Sequence, residues 1–227
     1  MSVFVAEELS EVLNTKVMIG RINIGLLNRI IIDDVLLDDQ SGQEMLKVTR
    51  LSAKFDIMPF FKGKISISSV QLFGFNINLR KETPDSPPNF KFVLDAFASK
   101  DTVKKENSLD LRINSILIRR GRMSYHVLSE EETPGKFNAK HIQLQNIIAN
   151  ISLKALSKDS LNLGIKRLSL DEKASGFSLK KMSLKLVANN KQTNIDNFTI
   201  ELPETSLKLD TIPVSYTHLR AHETLMN

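Results

Sequence analysis

Apolar and polar residues alternate along most of this chain with a period of two, the pattern of β-strands that bury one face. The stretch Lys64 to Arg80 holds it for 17 residues, roughly 55 Å at about 3.3 Å per residue, against about 5 to 6 residues in an ordinary strand. Ile65 and Ile67 share one parity, Val70 and Leu72 take the other, and Phe75, Ile77 and Leu79 return to the first. One-residue bulges at Ser68-Ser69 and Phe73-Gly74 would keep all seven on one face. A strand this long is expected to curl with the sheet's twist into one wall of a trough.

The same punctuation recurs nine times as apolar, two polar, apolar, any residue, apolar. The copies begin at Ile19, Ile32, Val48, Ile67, Ile113, Leu144, Ile165, Leu179 and Ile195. Their irregular spacing suits successive strands joined by short turns rather than a solenoid of fixed period. Strands are expected over Lys16 to Ile24, Arg29 to Asp38, Glu44 to Ile57, Lys64 to Arg80, Leu109 to Val127, Phe137 to Leu153, Leu161 to Leu170, Phe177 to Val187, Ile195 to Leu202 and Ser206 to Leu209. Two short helices interrupt them. Val5, Leu9, Val12 and Leu13 mark an N-terminal amphipathic helix, expected to pack on the first strands and to stop at Asn14-Thr15. Asn89 is placed to cap a helix near 90–98, with Phe90, Val93, Leu94 and Phe97 on one face.

The fold class that follows is mainly β: a long, bent antiparallel sheet of nine or ten strands forming an open hydrophobic groove, with those two helices. Ile65, Ile67, Val70, Leu72, Phe75, Ile77 and Leu79 are expected to share its concave side with Leu111, Ile113, Ile116, Ile118, Met123 and Tyr125. A second bulge at Asn114-Ser115 is needed for this. The two helices are too small to cover the inward face of ten strands, so foreign apolar matter or the sheet itself must fill it.

Composition narrows the function. With 41% hydrophobic residues in 227 and a mean hydropathy of −0.13, the chain can build a core. The net charge of +5 divides into about −3 over residues 1–60 and +8 over 61–212, which suits a solvated outer sheet face or anionic head groups. Nucleic acid is disfavoured, because no tryptophan and two tyrosines leave few stacking platforms. Cysteine is absent, excluding disulfides and thiol chemistry. No run of 18 apolar residues and no export signal is legible.

No catalytic constellation emerges and no cofactor is expected. Asp33-Asp34 and Asp38-Asp39 read as solvated acids flanking turns, since neighbouring strand residues point to opposite faces. His126 and His141 read as ordinary strand residues. The tail 213–227 breaks the alternation and resembles translated sequencing-adapter sequence. Its His218 and His222, followed by Glu223, lack the His-Glu-x-x-His order and are not read as a metal site.

Several segments together resemble a known family. Leu13-Asn14-Thr15-Lys16-Val17 with Ile19-Gly20, then Ile32 to Asp39, Leu46 to Phe55, Phe60 to Ile65 and Asn89 to Phe97 are similar in order and spacing to the N-terminal region of AsmA-like proteins, among them the translocation and assembly module subunits. The resemblance covers roughly residues 4–127 and is compositional from there to 212. It implies a periplasmic segment, 1–212, of an inner-membrane-anchored protein whose taco-like β-groove shields phospholipid acyl chains on the way to the outer membrane, or assists outer-membrane protein assembly with a barrel partner. The membrane anchor and the C-terminal part of that pattern are missing here. A purely structural β-sandwich or solenoid is the alternative, and an enzyme comes third.

Overall fold

The computed structural model describes residues 2–25, 28–55, 67–98, 114–156, 160–189 and 192–215. Ten strands form one open sheet in chain order: β1 (Val17–Gly25), β2 (Arg29–Asp38), β3 (Glu44–Phe55), β4 (Ile67–Lys81), β5 (Ser115–Val127), β6 (His141–Leu156), β7 (Ser160–Glu172), β8 (Ser178–Asn189), β9 (Gln192–Glu201) and β10 (Ser206–Ser215). Two helices accompany it, α1 (Ser2–Leu13) and α2 (Lys91–Ala98). The mainly β class and the strand count are as the alternation implies. β10 runs on through Pro213 to Ser215, paired with Asn194 to Gln192, past the expected end of the regular pattern at 212.

One pairing corrects the antiparallel expectation: β4 and β5 run parallel, with Val70 beside Ile116 and Leu79 beside Tyr125. A parallel neighbour needs a crossover of a dozen or more residues, and the segment 82–114, which carries α2, is long enough. Asn114 N donates to Ser68 O at 2.9 Å, so the returning chain joins β4 at its starting end.

The phase changes in the alternation have a shared structural cause. Residues 20 of β1, 34 of β2, 49 of β3, 74 of β4 and 120 of β5 stand in one row across the sheet, as the flanking registers place them. Asp34, Gly74 and Arg120 in that row have φ of +56°, +64° and +55°. A left-handed residue re-aims the chain, so the apolar side chain after it returns to the face it left. Leu72 and Phe75, three residues apart, thus pack in one cluster with Val48 and Ile147. Asn146 on β6 and Asn197 on β9 carry the same conformation (φ +54° and +53°) within the polar pairs of their own repeats. The one-residue bulge expected at Phe73-Gly74 is not there, since Val48 opposite Phe75 and Arg50 opposite Phe73 keep one register, whereas the bulge expected at Ser68 is present: Lys54 pairs with Ser69 and Phe55 with Ile67, skipping Ser68.

The helices sit at the other end of β1 to β3. Val17, Leu37 and Met45 are buried there, packed by Leu13, Phe90, Phe92 and Val93. α1 meets β1 through Ala6 and Ser10, whose Oγ accepts from Val17 N at 3.0 Å, and it stops where Asn14 turns left-handed (φ +49°). Its expected apolar face is only partly used, because Leu9 and Val12 remain exposed. On α2, Leu94 is exposed as well, and Phe92 packs in its stead.

Candidate functional site

The candidate surface is the apolar face shared by β4 and β5. Val70 pairs with Ile116, Leu72 with Ile118, Ile77 with Met123 and Leu79 with Tyr125. Leu72, Phe75, Ile77, Ile118 and Met123 all join the cluster around Val48 and Ile147. The skipped Ser68 keeps Ile67 in phase with Val70, since their partners Phe55 and Ala53 are two apart. Ile65, Leu111 and Ile113, with the bulge expected at Asn114-Ser115, fall wholly or partly outside the described residues. Phe75 is buried and the other described members are half-buried. All ten strands among the described residues belong to one open sheet, so no second sheet is present to close over this face.

The opposite face is charged. Arg21, Asp33, Arg50, Phe73 and Arg119 form one row across β1 to β5. Arg50 donates twice to Asp33, Nε to Oδ1 at 2.6 Å and Nη2 to Oδ2 at 3.2 Å, and this hydrogen-bonded guanidinium holds the Asp33 carboxyl below the usual carboxylate range. Arg119, Arg120 and Arg122 of β5 are exposed, as a solvated outer face would have them.

The expectation of solvated acids is overturned at Asp33, Asp38 and Asp39, all of them buried. Asp39 is the most deeply buried, 2% exposed. Its Oδ1 accepts from Ser41 N (3.0 Å), Ser41 Oγ (2.7 Å) and Gln43 N (3.1 Å), and its Oδ2 from Arg80 Nη2 (2.7 Å) and Asn89 Nδ2 (3.1 Å). Burial alone would raise its pKa; these bonds and the Arg80 charge outweigh it and hold the carboxyl below the usual range. An acid beside a turn is spared desolvation cost when the turn's own N–H groups converge on it. Asn89 also donates to Asn78 O and accepts from Arg80 N, so its amide serves β4 rather than capping α2. A cleft of about 670 Å³ opens beside this network, lined by Leu13, Ser41, Arg80, Asn89, Phe92 and other residues of α1 and α2.

Glu172 repeats the device at the β7–β8 turn. Buried, it accepts from Gln143 N, Ala174 N, Ser175 N and Ser175 Oγ at 2.5 to 3.2 Å. Burial would raise its pKa, but these donors lower it to about 2. Sequence reasoning missed it; the break between the strands ending at Leu170 and opening at Phe177 was legible, but the acid's burial was not.

His126 and His141 are brought together. They face each other across β5 and β6, the Nδ1 atoms 3.0 Å apart, and Glu132 Oε1 lies 3.7 and 4.0 Å from them. The sequence presented both as ordinary strand residues; it is the β5–β6 register that sets His126 opposite His141. No family model matches this chain, and no curated protein matches it.

Proposed function

We propose that the β4–β5 face binds lipid acyl chains, and that the chain is the periplasmic segment of an inner-membrane-anchored, AsmA-like protein that shields phospholipid in transit between the inner and outer membranes. The observation that carries this reading is a half-exposed apolar face kept in phase across six strands, β2 to β7, of an open sheet. Moving acyl chains into water costs about 0.8 kcal/mol per methylene, so a carrier must offer unbroken apolar contact. Val70, Leu72, Ile77 and Leu79 beside Ile116, Ile118, Met123 and Tyr125 offer it in consecutive steps. Sliding between equivalent contacts has a low barrier and needs no catalytic group and no cofactor. No helix among the described residues is long and apolar enough to cross a membrane, and the anchor belongs to the resemblance alone. Assistance to outer-membrane protein assembly, through a barrel partner, is the other role the resemblance carries.

The test is native mass spectrometry with lipid extraction on the full chain, refolded with phospholipid, beside a Val70→Asp, Ile116→Asp variant whose folding is checked by circular dichroism. Phospholipid in fixed ratio on the parent and absent from the folded variant is the expected result. A parent that stays lipid-free makes the face ordinary core and favours a structural envelope module.

A further inference from the structure

The β5–β6 hairpin holds a ligand set that the lipid reading does not use. We propose that His126, His141 and Glu132 bind one divalent transition-metal ion of the zinc class through the two Nδ1 atoms and Glu132 Oε1. The three donor atoms lie within 4.8 Å of one another. Two nitrogens bound at about 2.0 to 2.1 Å with tetrahedral angles stand about 3.4 Å apart. The observed 3.0 Å therefore needs to open by only a few tenths of an ångström. Glu132, 62% exposed on its loop, is free to close from 3.7 and 4.0 Å.

Protonation favours the same set. His141 Nε2 lies 3.0 Å from the carbonyl oxygen of Glu130, which only accepts, so Nε2 carries the hydrogen. The neutral ring then presents a bare lone pair at Nδ1. In metal sites a ligating histidine usually donates from its other ring nitrogen to a carboxylate, a backbone carbonyl or water, which fixes the tautomer and the ring orientation. Without an ion, His126 Nδ1–H donates to that lone pair, and this is the competing account of the 3.0 Å contact.

The loop that brings Glu132 is held before any ion arrives. Leu128 N and Ser129 N donate to Lys81 O and Glu82 O, Gly135 N donates to Ala174 O, and Asn138 bridges to Glu131 O and Lys140 N. A cleft of about 330 Å³ lined by Glu132, Pro134, Asn138 and His141 gives solvent access. Two imidazoles and one carboxylate suit zinc rather than calcium or magnesium, which take oxygen ligands, and three protein ligands leave a position for water. The bound ion would clip the 128–140 loop to the ends of β5 and β6.

The test is zinc competition against a chromophoric chelator, using the full chain with His218→Ala and His222→Ala so that the tail pair cannot contribute. Expected is one tightly held ion per chain, weakened at least about tenfold by Glu132→Gln and by His126→Gln, the loss caused even by removing a group that only hydrogen-bonds a ligand. Cobalt substitution should give an intense visible absorption that both variants lose. Glu132→Gln sits on an exposed loop and keeps the test valid if His126→Gln fails to fold. Absence of stoichiometric zinc, or an affinity that Glu132→Gln leaves unchanged, overturns the site and leaves a histidine pair joined by a hydrogen bond.

Discussion

The ring of Phe75 on β4 occupies the space that a side chain at Gly121 on β5 would need. A Cβ at Gly121 would stand 2.4 Å from two ring carbons of Phe75 and 3.0 Å from Ile147 Cβ. The glycine therefore lets an aromatic ring lie across its neighbour strand and reach β6, joining Val48, Phe75 and Ile147 into one cluster.

Gly121→Ala should accordingly cost about 1–3 kcal/mol by overpacking, read as a lower urea midpoint with an unchanged slope. Phe75→Leu in the same chain should recover part of that loss. Strictly additive costs in the double variant would mean that the two positions do not share the space.

The left-handed row makes a second prediction. Gly74 has φ +64°, and its Cβ would lie 2.7 Å from Thr49 Oγ1. Gly74→Ala should therefore lose at least about 1 kcal/mol, the cost of a left-handed backbone for a residue with a Cβ. Asn197→Gly, at an exposed position with φ +53°, should change stability by less than about 0.5 kcal/mol. Thermal unfolding of the pair decides: equal losses would remove backbone conformation as the reason for the row.

Acid should unfold the protein through its buried and half-buried carboxylates. Asp33, Asp39, Asp171 and Glu172 have folded pKa values below their ordinary ones. A lowered folded pKa contributes stability above the unfolded value and loses it as pH falls toward the folded one. For Glu172 that window runs from 4.5 down to about 2. Urea midpoints taken from pH 7 to pH 2.5 should fall steeply in the parent below about 4.5. Glu172→Gln should start lower at pH 7 and fall less steeply, and a slope equal to the parent's would sink the assignment.

Much of the architecture was legible along the chain. The strict alternation around Ile67 and Leu79 announced strands, and the apolar-polar-polar-apolar repeat at Ile32 announced an interruption that preserves the face. Those signals are local, set by the two-residue pleat and by which residues tolerate a left-handed turn. The side chains of Leu9, Val12 and Leu94 were legible only as apolar. Their exposure depends on how much of each helix face β1 to β3 can cover.

What tertiary structure decided is which distant residues meet. The parallel join of β4 to β5 depends on where the 82–114 segment returns, and no residue of either strand encodes its direction. Asp39 reads as a surface acid until Arg80 and Asn89, far along the chain, arrive to balance its charge. His126 and His141 become a pair only when the hairpin register sets them opposite each other. Alternation is a property of neighbouring residues, so the sequence alone determined the strands and their shared face. Burial of charge and convergence of ligands depend on distances across the sheet, and those exist only in the folded chain.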